Sequence, residues 1–183
     1  MADLQAAKAR VLAMYRDLDA AGAGREEEAL SAHLTADHLW RGMHPWNSLQ
    51  GAVAVAAEFW APLRRALSPM QRRPDMFLAG ENVLDGRQSV WVCEMGHLMG
   101  LWDADFLGIP ATRKIAFLRY VEFHRIEDDR VAETASYVDL LHLMGQAGVH
   151  VLPAQTGAAI LTPGPRTHDG LLHDPQDPEA GRI

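Results

Sequence analysis

Three stretches of alternating apolar and polar residues decide the fold: SVWVCEMGHLM at 89–99, KIAFLRYVEFHRIE at 114–127 and RVAETASYV at 130–138. A period of two is typical of β-strands that turn one side toward a core. Asp128-Asp129 between the last two stretches fits a tight hairpin, and short links make neighbouring strands antiparallel. The sequence therefore predicts an antiparallel sheet built on these strands.

Upstream of this region, as far as Leu67, the apolar spacing indicates helices. The first helix begins after the capping residue Asp3 and ends before Gly22, the second covers Arg25 to about His33, and the third covers Ala52–Leu67. A short strand at 76–79 and a turn at 84–87 follow. Helices that precede strands indicate an α+β fold rather than an alternating parallel sheet.

Downstream of the strands, Asp139 precedes an apolar run that predicts one more helix. Asp139 is explained best as the cap of that helix, although its position on the strand also allows a role in a pocket. From Pro153 to Ile183 the pattern collapses into prolines and glycines, including Pro163-Gly164-Pro165 and two further prolines at 175 and 178. We expect one domain over residues 1–150 and an arm or loose tail over 151–183, with Leu171-Leu172 as its anchor.

Composition excludes several classes of protein. The chain has 183 residues, a formal net charge of −7 and a single cysteine, so disulfides within the chain are ruled out and a nucleic-acid partner is disfavoured. The basic pairs Arg64-Arg65 and Arg72-Arg73 are interpreted as solvated faces. There is no apolar run of about 20 residues and no signal-peptide pattern, which predicts a cytoplasmic protein without a membrane partner.

Motifs for common cofactors are missing from the sequence. It contains no phosphate-binding glycine loop, no dinucleotide fingerprint and no His-Glu-x-x-His pair, so no cofactor is expected. The spacings between His33, His38 and His44 do not place pairs on one helix face, so no metal site is expected either. Cys93 lies in the middle of a predicted strand and is interpreted as a small buried side chain rather than a nucleophile.

The strand faces carry the candidate chemistry. Titratable groups stand among apolar ones on these strands, and that mixture is typical of a ligand pocket on a curved sheet. The same pattern also fits Glu122 and His124 on a solvated face. The residues that share one side of their strand are Trp91, Cys93, Met95 and His97 on the first strand, Leu118, Tyr120, Glu122 and His124 on the second, and Glu133, Ala135, Tyr137 and Asp139 on the third.

Four segments, GHLMG at 96–100, FLGIPAT at 106–112, EFHRIE at 122–127 and DLL at 139–141 before QAG at 146–148, resemble the SnoaL-like polyketide cyclases. That family belongs to the nuclear transport factor 2-like superfamily. The resemblance covers roughly residues 3–148. It implies an α+β cone in which helices pack on a strongly curved antiparallel sheet, in agreement with the predicted order of elements.

The resemblance also implies the site residues. His97 and Glu122 match the histidine and the acid that face the pocket in that family, where the acid removes a proton during aldol closure. Glu122 stands where the cyclases carry aspartate, Arg113 where a glycine is usual, and Ala135 where a tryptophan is common. The implied function is cyclisation or isomerisation of an apolar, polyketide-like carbonyl compound, with Glu122 as base and His97 polarising the carbonyl.

We expect a shared cavity lined by residues from the sheet and from the aromatic loop at 40–47. Its predicted lining is Trp40, His44, Trp46, Trp91, Met95, Tyr120, His124 and Tyr137 around Glu122 and His97. Alternation places the strand residues of this lining on one side of the sheet only if neighbouring strands pair in the register that the resemblance implies.

Two other functions remain open at this stage. A ligand-binding or dimerisation module without turnover needs the same cavity. Epoxide hydration, known elsewhere in the superfamily, needs an arginine between two acids; Arg119 and Glu122 lie three apart on one strand and so face opposite sides. Phe117, Val121 and Phe123 would form an apolar outer face, which predicts a homodimer through the convex side of the sheet.

Overall fold

The computed structural model describes residues 3–84, 86, 88–154, 165, 167 and 169–177. The helices are α1 (Leu4–Ala20), α2 (Glu26–Ser31), α3 (Gly51–Val55), α4 (Ala61–Ala66) and α5 (Leu140–Gln146), with a π-helical segment at Ala56–Trp60 between α3 and α4. The strands are β1 (Leu34–Arg41), β2 (Ser48–Gln50), β3 (Gln71–Asn82), β4 (Ser89–Leu101), β5 (Ile115–Glu127) and β6 (Arg130–Val138). Helices packed on one curved sheet make this the α+β cone that the sequence predicts.

The described strands form one six-stranded sheet in the order β2-β1-β6-β5-β4-β3. Neighbouring strands are antiparallel except β1 and β6, which run parallel. The hairpin predicted at Asp128-Asp129 is confirmed, since Glu127 pairs with Arg130 and both aspartates have positive φ. The sequence predicted no strand in residues 34–50 and a loop at 40–47. The structure instead has β1 and β2 in this stretch, with Trp40 and Arg41 in β1.

Helix ends follow the sequence closely. The Asp3 carboxylate accepts hydrogen bonds from the backbone N–H groups of Gln5 and Ala6, and Asp139 accepts one from His142, so both predicted caps are confirmed. These caps satisfy amides that have no partner inside the helix. None of the described helices is long and apolar enough to cross a membrane.

The sheet register sets which side chains face the helices. Between β4 and β5, Glu94 pairs with Glu122 and Gly96 with Tyr120, so even-numbered residues of both strands share a face. Between β5 and β6, Glu122 pairs with Ser136, so even numbers continue on β6. The Tyr15 hydroxyl of α1 contacts Glu122, so this face is turned toward α1. We call it the inner face and the odd-numbered side the outer face.

The strand β3 is longer than the predicted 76–79 and contains a bulge between Pro74 and Met76. Because a bulge changes the side-chain phase, Arg72 and Phe77 both come to the inner face, opposite Leu98 and Glu94. Gly96 makes the bulge sterically possible, since an added Cβ would lie 2.8 Å from Pro74 Cα. The bulge therefore delivers an arginine into the interior.

The chain after 150 is described in part. Gly170 and Leu172 exchange backbone hydrogen bonds with Phe77 on β3, and Lys8 of α1 donates to the Leu172 carbonyl over 2.6 Å. The predicted anchor at 171–172 thus lies between α1 and β3. The remaining predictions for the tail and part of the turn at 84–87 concern residues 85, 87, 155–164, 166, 168 and 178–183, which lie outside the described residues.

Candidate active site

A buried charged cluster occupies the inner face of the sheet. The Arg72 guanidinium lies 3.3 Å from Glu94 Oε1, 3.9 Å from Glu122 Oε2 and 3.1 Å from Asp19 Oδ2. Its side chain is only 7% exposed, and those of Glu94 and Glu122 are 3% exposed. An arginine is always protonated in proteins and carries five donors. The arrangement is therefore one fixed positive charge between two buried carboxyl groups.

Aromatic rings enclose the guanidinium. Its central carbon lies 3.8 Å from the centroid of the Tyr15 ring, 5.4 Å from Trp60 and 5.5 Å from Tyr120. Such stacking stabilises a cation that has lost much of its water. Arg72 Nη2 is buried and has no hydrogen-bond partner among the described residues. One strong donor is thus left available for an oxygen atom that enters the cluster.

The two carboxyl groups differ in their partners. The Tyr120 hydroxyl donates to Glu94 Oε1, whereas the Tyr15 hydroxyl lies 3.0 Å from Glu122 Oε2. Burial raises the pKa of each carboxyl, and Arg72 lowers it in part. Burial likewise raises the pKa of Tyr15 well above its ordinary value, which keeps the phenol protonated. Glu122 is therefore a buried carboxyl whose proton affinity is enhanced and which faces a phenol donor.

A chain of polar side chains extends from Glu122 across the inner face. The Tyr15 hydroxyl lies 2.6 Å from His124 Nε2, and His124 Nδ1 lies 3.0 Å from Thr134 Oγ1. Thr134 Oγ1 also lies 3.0 Å from His38 Nε2. Both histidines are 1% exposed. Burial lowers the pKa of His38 to about 4 and that of His124 to about 3, so both imidazoles are neutral at pH 7.

The interior has little empty space. A cavity of about 10 Å³ lies against Tyr15, His38, Glu122, His124 and Thr134, which is room for about one water molecule. A groove of about 900 Å³ lies outside the cone, lined in part by Asp19, Arg64 and Met70. Asp19 lines the groove, and its carboxylate pairs with Arg72 of the buried cluster.

The structure separates the predicted catalytic pair. His97 on β4 lies opposite Arg119 on β5, and both are on the outer face, whereas Glu122 lies on the inner face. The prediction of a shared cavity for His97 and Glu122 was therefore wrong. Trp91, Met95 and Tyr137 are odd-numbered and also lie on the outer face, with Tyr137 opposite Val121. His97 Nδ1 lies 3.1 Å from Asp75 Oδ2 instead. Only Tyr120 and His124 of the predicted strand residues join Glu122.

The aromatic loop does not form a mouth. Trp40 belongs to β1, is 2% exposed and packs against Phe59, while Trp46 packs on the same ring and donates from Nε1 to the Glu58 carbonyl. His44 is exposed. The prediction that these three residues close over a substrate was wrong for the tryptophans, because both are part of the packed core.

Sequence reasoning missed Arg72, Glu94, Tyr15 and His38. Arg72 was assigned to a solvated face with Arg73, but its guanidinium is buried. The same assignment was wrong for Arg64, whose guanidinium donates to carbonyls at the end of α1. Tyr15 belongs to the apolar spacing that predicted the first helix, and no other role was predicted for it. Glu94 alternates with Val92 and Leu98, both fully buried, and that alternation was the signal available for its inward orientation.

Other predicted groups fall outside this cluster. Cys93 lies on the outer face opposite Phe123, and burial raises the pKa of its thiol to about 11, which fits its interpretation as a non-nucleophilic side chain. Among the described residues, no three His, Cys, Asp or Glu side chains are grouped as metal ligands would be.

The neutral histidines predict a pH dependence of stability. Because the folded state lowers the pKa of His38 from 6.5 to about 4, the unfolded state binds protons first, and stability falls as pH drops from about 6.5 toward 4. We expect His38 to account for a loss of about 3 kcal/mol over that window. The raised pKa values of Glu94 and Glu122 act in the opposite sense, since the folded state binds their protons more readily.

A paired comparison isolates this histidine. His38→Gln keeps a donor near Thr134 but does not titrate, so urea unfolding between pH 7 and pH 4 should show the wild type losing more stability than this variant. His44→Gln, at an exposed position, should follow the wild-type curve. Parallel curves for the wild type and His38→Gln would show that His38 does not contribute.

Comparison with known structures supports the fold. A candidate SnoaL-like polyketide cyclase from Jannaschia sp. is 19% identical with a TM-score of 0.59, over 81% of this chain and 94% of that one. AclR, described as a candidate hydroxylase from Streptomyces galilaeus, is 16% identical with a TM-score of 0.64, over 84% and 87%. A nuclear transport factor 2-like protein from Burkholderia thailandensis is 16% identical with a TM-score of 0.56, over 80% and 98%.

No family model matches this sequence, and no curated protein matches it. The solved structures described above confirm the resemblance to SnoaL-like proteins at the level of the fold. Neighbours that share this fold carry different functional names, so the reaction has to be argued from the side chains of the inner face.

Proposed function

We propose that the chain, which has the nuclear transport factor 2-like fold of SnoaL-like polyketide cyclases, is a cofactor-independent acid–base catalyst. Its substrate would be an apolar, polyketide-like carbonyl compound, and the reaction a cyclisation of the aldol type or an isomerisation. The observation that carries this proposal is the buried Glu122 carboxyl, with its raised pKa, beside the Arg72 guanidinium and the Tyr15 hydroxyl.

Each group has a role in proton removal next to a carbonyl. Glu122 takes a proton from the carbon beside the carbonyl, because a carboxylate held in an apolar site is a stronger base than one in water. The electron pair moves to the carbonyl oxygen, which accepts hydrogen bonds from Arg72 Nη2. That atom is the buried donor without a partner, so its charge stabilises the developing oxyanion. Arg72 thus takes the role that the family resemblance implied for His97.

The groove supplies the space for substrate. Its volume of about 900 Å³ lies within the range of small-molecule sites, whereas the interior cavity holds about one water molecule. Asp19 lines the groove, pairs with Arg72 and has a side chain that is about one-third exposed. In the proposal, the substrate lies in the groove. Its carbonyl displaces Asp19 from Arg72 Nε and accepts from the edge of the guanidinium that Nε shares with Nη2.

The test is exchange of substrate protons with solvent. A panel of apolar ketones and 1,3-diketones is incubated in D₂O, and loss of the α-proton signal is followed by NMR. Wild-type protein should accelerate exchange for at least one compound, and Glu122→Gln should not. Glu127→Gln is the matched control, since it removes an exposed carboxylate from the same strand.

The same assay bears on a binding module without turnover. That alternative uses the groove as its ligand site and does not require a substrate to reach Glu122 through the packed interior, in which Trp40, Phe59 and Trp60 are all buried. A ligand that binds wild type and Glu122→Gln equally, with no exchange in either, would replace the catalytic proposal by this one.

A second reaction, hydration of a small epoxide, is favoured by one specific observation: Arg72 lies between Glu94 and Glu122. Glu122 would take a proton from water in the adjoining cavity, the water oxygen would attack one epoxide carbon, and protonated Glu94 would give its proton to the leaving oxygen. The product is a diol. Incorporation of ¹⁸O from labelled water that is lost in both Glu94→Gln and Glu122→Gln would support hydration over carbonyl chemistry.

We also propose that the chain forms a homodimer through the outer face of the sheet. Phe123 is 37% exposed and Tyr137 is 53% exposed there, next to Val121 on the paired strand. Exposed apolar side chains grouped on one face are typical of interfaces. We expect light scattering at micromolar concentration to give the mass of a dimer, and Phe123→Glu to give a monomer with an unchanged circular dichroism spectrum. A monomeric wild type would contradict the proposal.

A further inference from the structure

Four side chains on the inner face of the sheet and one from α1 form an unbroken series of hydrogen-bonding groups. The series runs from His38 on β1 through Thr134 on β6, His124 on β5 and Tyr15 on α1 to Glu122 on β5. Successive donor and acceptor atoms are separated by 3.0, 3.0, 2.6 and 3.0 Å. All five residues are at most 3% exposed, so bulk water does not compete for these contacts.

The hydrogen atoms in such a series can be arranged in only two ways. Each hydroxyl has one proton to donate, and each neutral imidazole has one N–H and one acceptor nitrogen. When Glu122 is ionised it only accepts, so Tyr15 donates to Glu122, His124 Nε2 donates to Tyr15, Thr134 donates to His124 Nδ1, and His38 Nε2 donates to Thr134. Every donor then points toward Glu122, and His38 Nδ1 is a bare acceptor.

When Glu122 is protonated, every donor can reverse. Glu122 then donates to Tyr15, Tyr15 to His124 Nε2, His124 Nδ1 to Thr134, and Thr134 to His38 Nε2, which leaves the hydrogen of His38 on Nδ1. That atom has no hydrogen-bond partner among the described residues, so both arrangements are compatible with its surroundings.

We propose that His38, Thr134, His124 and Tyr15 form a proton relay through which Glu122 exchanges its proton at His38 Nδ1. Because His38 Nδ1 is buried, the proton comes from a hydronium ion that reaches this atom when the surrounding structure opens locally, and a water molecule is left behind. His38 then passes its Nε2 proton to Thr134, Thr134 passes its own to His124 Nδ1, His124 passes its own from Nε2 to Tyr15, and Tyr15 passes its own to Glu122. One proton enters and one is gained by Glu122, so atoms and charge balance. The reverse sequence returns Glu122 to its carboxylate.

The relay extends the proposed function, because a base that has taken a proton from a substrate must lose it before the next turnover. His38, Thr134 and His124 are positioning residues in this scheme, since none of them is assigned contact with substrate. The cavity of about 10 Å³ lies against all five members of the relay, which gives room for a single water molecule beside the series.

Charged groups near both ends affect the relay. Near Glu122, Arg72 from β3 favours the ionised carboxyl, whereas Asp19 from α1 opposes it. Glu122 in turn raises the pKa of Glu94, its cross-strand partner on β4. Arg72 and the neighbouring His38 also oppose protonation of His124, whereas Asp37 favours protonation of His38. Titration of the relay therefore has to be followed at each member rather than inferred from a single curve.

The test reads histidine tautomers and does not need a substrate. In full-length ¹⁵N- and ¹³C-labelled protein, ¹⁵N shifts identify which ring nitrogen of His38 and His124 carries the hydrogen, while the ¹³C shift of the Glu122 carboxyl reports its protonation. As pH falls from 9 to 4.5, we expect both histidines to change from the Nε2–H to the Nδ1–H tautomer with the Glu122 midpoint.

Two variants at Thr134 separate a relay from a structural contact. Thr134→Val removes the hydroxyl at nearly constant volume and leaves Glu122 and Tyr15 in place; we expect His38 to lose the tautomer change while His124 keeps it. Thr134→Ser retains a hydroxyl and should restore the coupled change. A wild-type His38 that keeps one tautomer while Glu122 titrates would overturn the relay, as would a coupled change that survives in Thr134→Val.

These outcomes are independent of the catalytic proposal. Coupled tautomers without α-proton exchange would leave the relay intact and remove its proposed use in turnover. Exchange that depends on Glu122 but shows uncoupled histidines would support the catalytic proposal and exclude the relay.

Discussion

Replacement of Glu122 by glutamine is expected to lower the rate of catalysed α-proton exchange by about 10²- to 10⁴-fold, the usual contribution of a general base. Glutamine has nearly the same shape and can still accept a hydrogen bond from Tyr15, so the 3.0 Å contact need not be lost. It cannot take a proton from carbon. The substitution should therefore lower the turnover rate and leave substrate binding unchanged.

The wild-type rate should also depend on pH in a defined direction. Because burial raises the pKa of Glu122, the base is protonated at low pH, and the rate should rise with pH through a midpoint above the ordinary carboxyl value of 4.5. Glu127→Gln should keep the full rate and the same profile. Equal rates for wild type and Glu122→Gln would remove Glu122 from the mechanism.

Replacement of Arg72 by methionine is expected to reduce the free energy of unfolding by about 3–5 kcal/mol at pH 8, because it leaves buried carboxyl groups without their cation. Glu94 and Glu122 would gain a still higher pKa. A carboxyl whose pKa is raised by folding contributes stability at low pH that is lost as pH rises, so the deficit of the variant should shrink toward pH 5. Urea unfolding at the two pH values measures both effects.

Two further variants show whether charge is the cause. Arg73→Met changes the adjacent exposed arginine and should cost little. Combining Arg72→Met with Glu94→Gln and Glu122→Gln removes the carboxylates as well and should recover part of the lost stability. An Arg72→Met protein as stable as the wild type at pH 8 would show that the cluster does not need its cation.

The order of elements could be predicted because it depends on local patterns. Capping by Asp3 and Asp139, the hairpin at Asp128-Asp129 and the bounds of β6 all follow from residues close together in sequence. The strand β1 was missed because Leu34, His38 and Trp40 alternate over too few residues to outweigh the helical spacing on either side. Its partner, β6, lies about 95 residues away.

The composition of the site could not be predicted, because it depends on register. The predicted alternation of side chains along each strand was correct, but the pairing of Glu94 with Glu122 places His97 on the opposite side from Glu122. The connection between β4 and β5 sets that pairing, and no local pattern reveals a shift of one residue. Arg72 was missed for a related reason, since the bulge after Pro74 reverses the phase of the strand.

Titration of the Glu122 carboxyl by ¹³C NMR shows directly whether this residue is a buried base within the cone. We expect a midpoint above 4.5 in the wild type, because burial outweighs the opposing effect of Arg72. We also expect a further rise in Tyr15→Phe, which removes the hydroxyl that stabilises the carboxylate. A midpoint at or below 4.5, unchanged in Tyr15→Phe, would show that Glu122 is not a buried base.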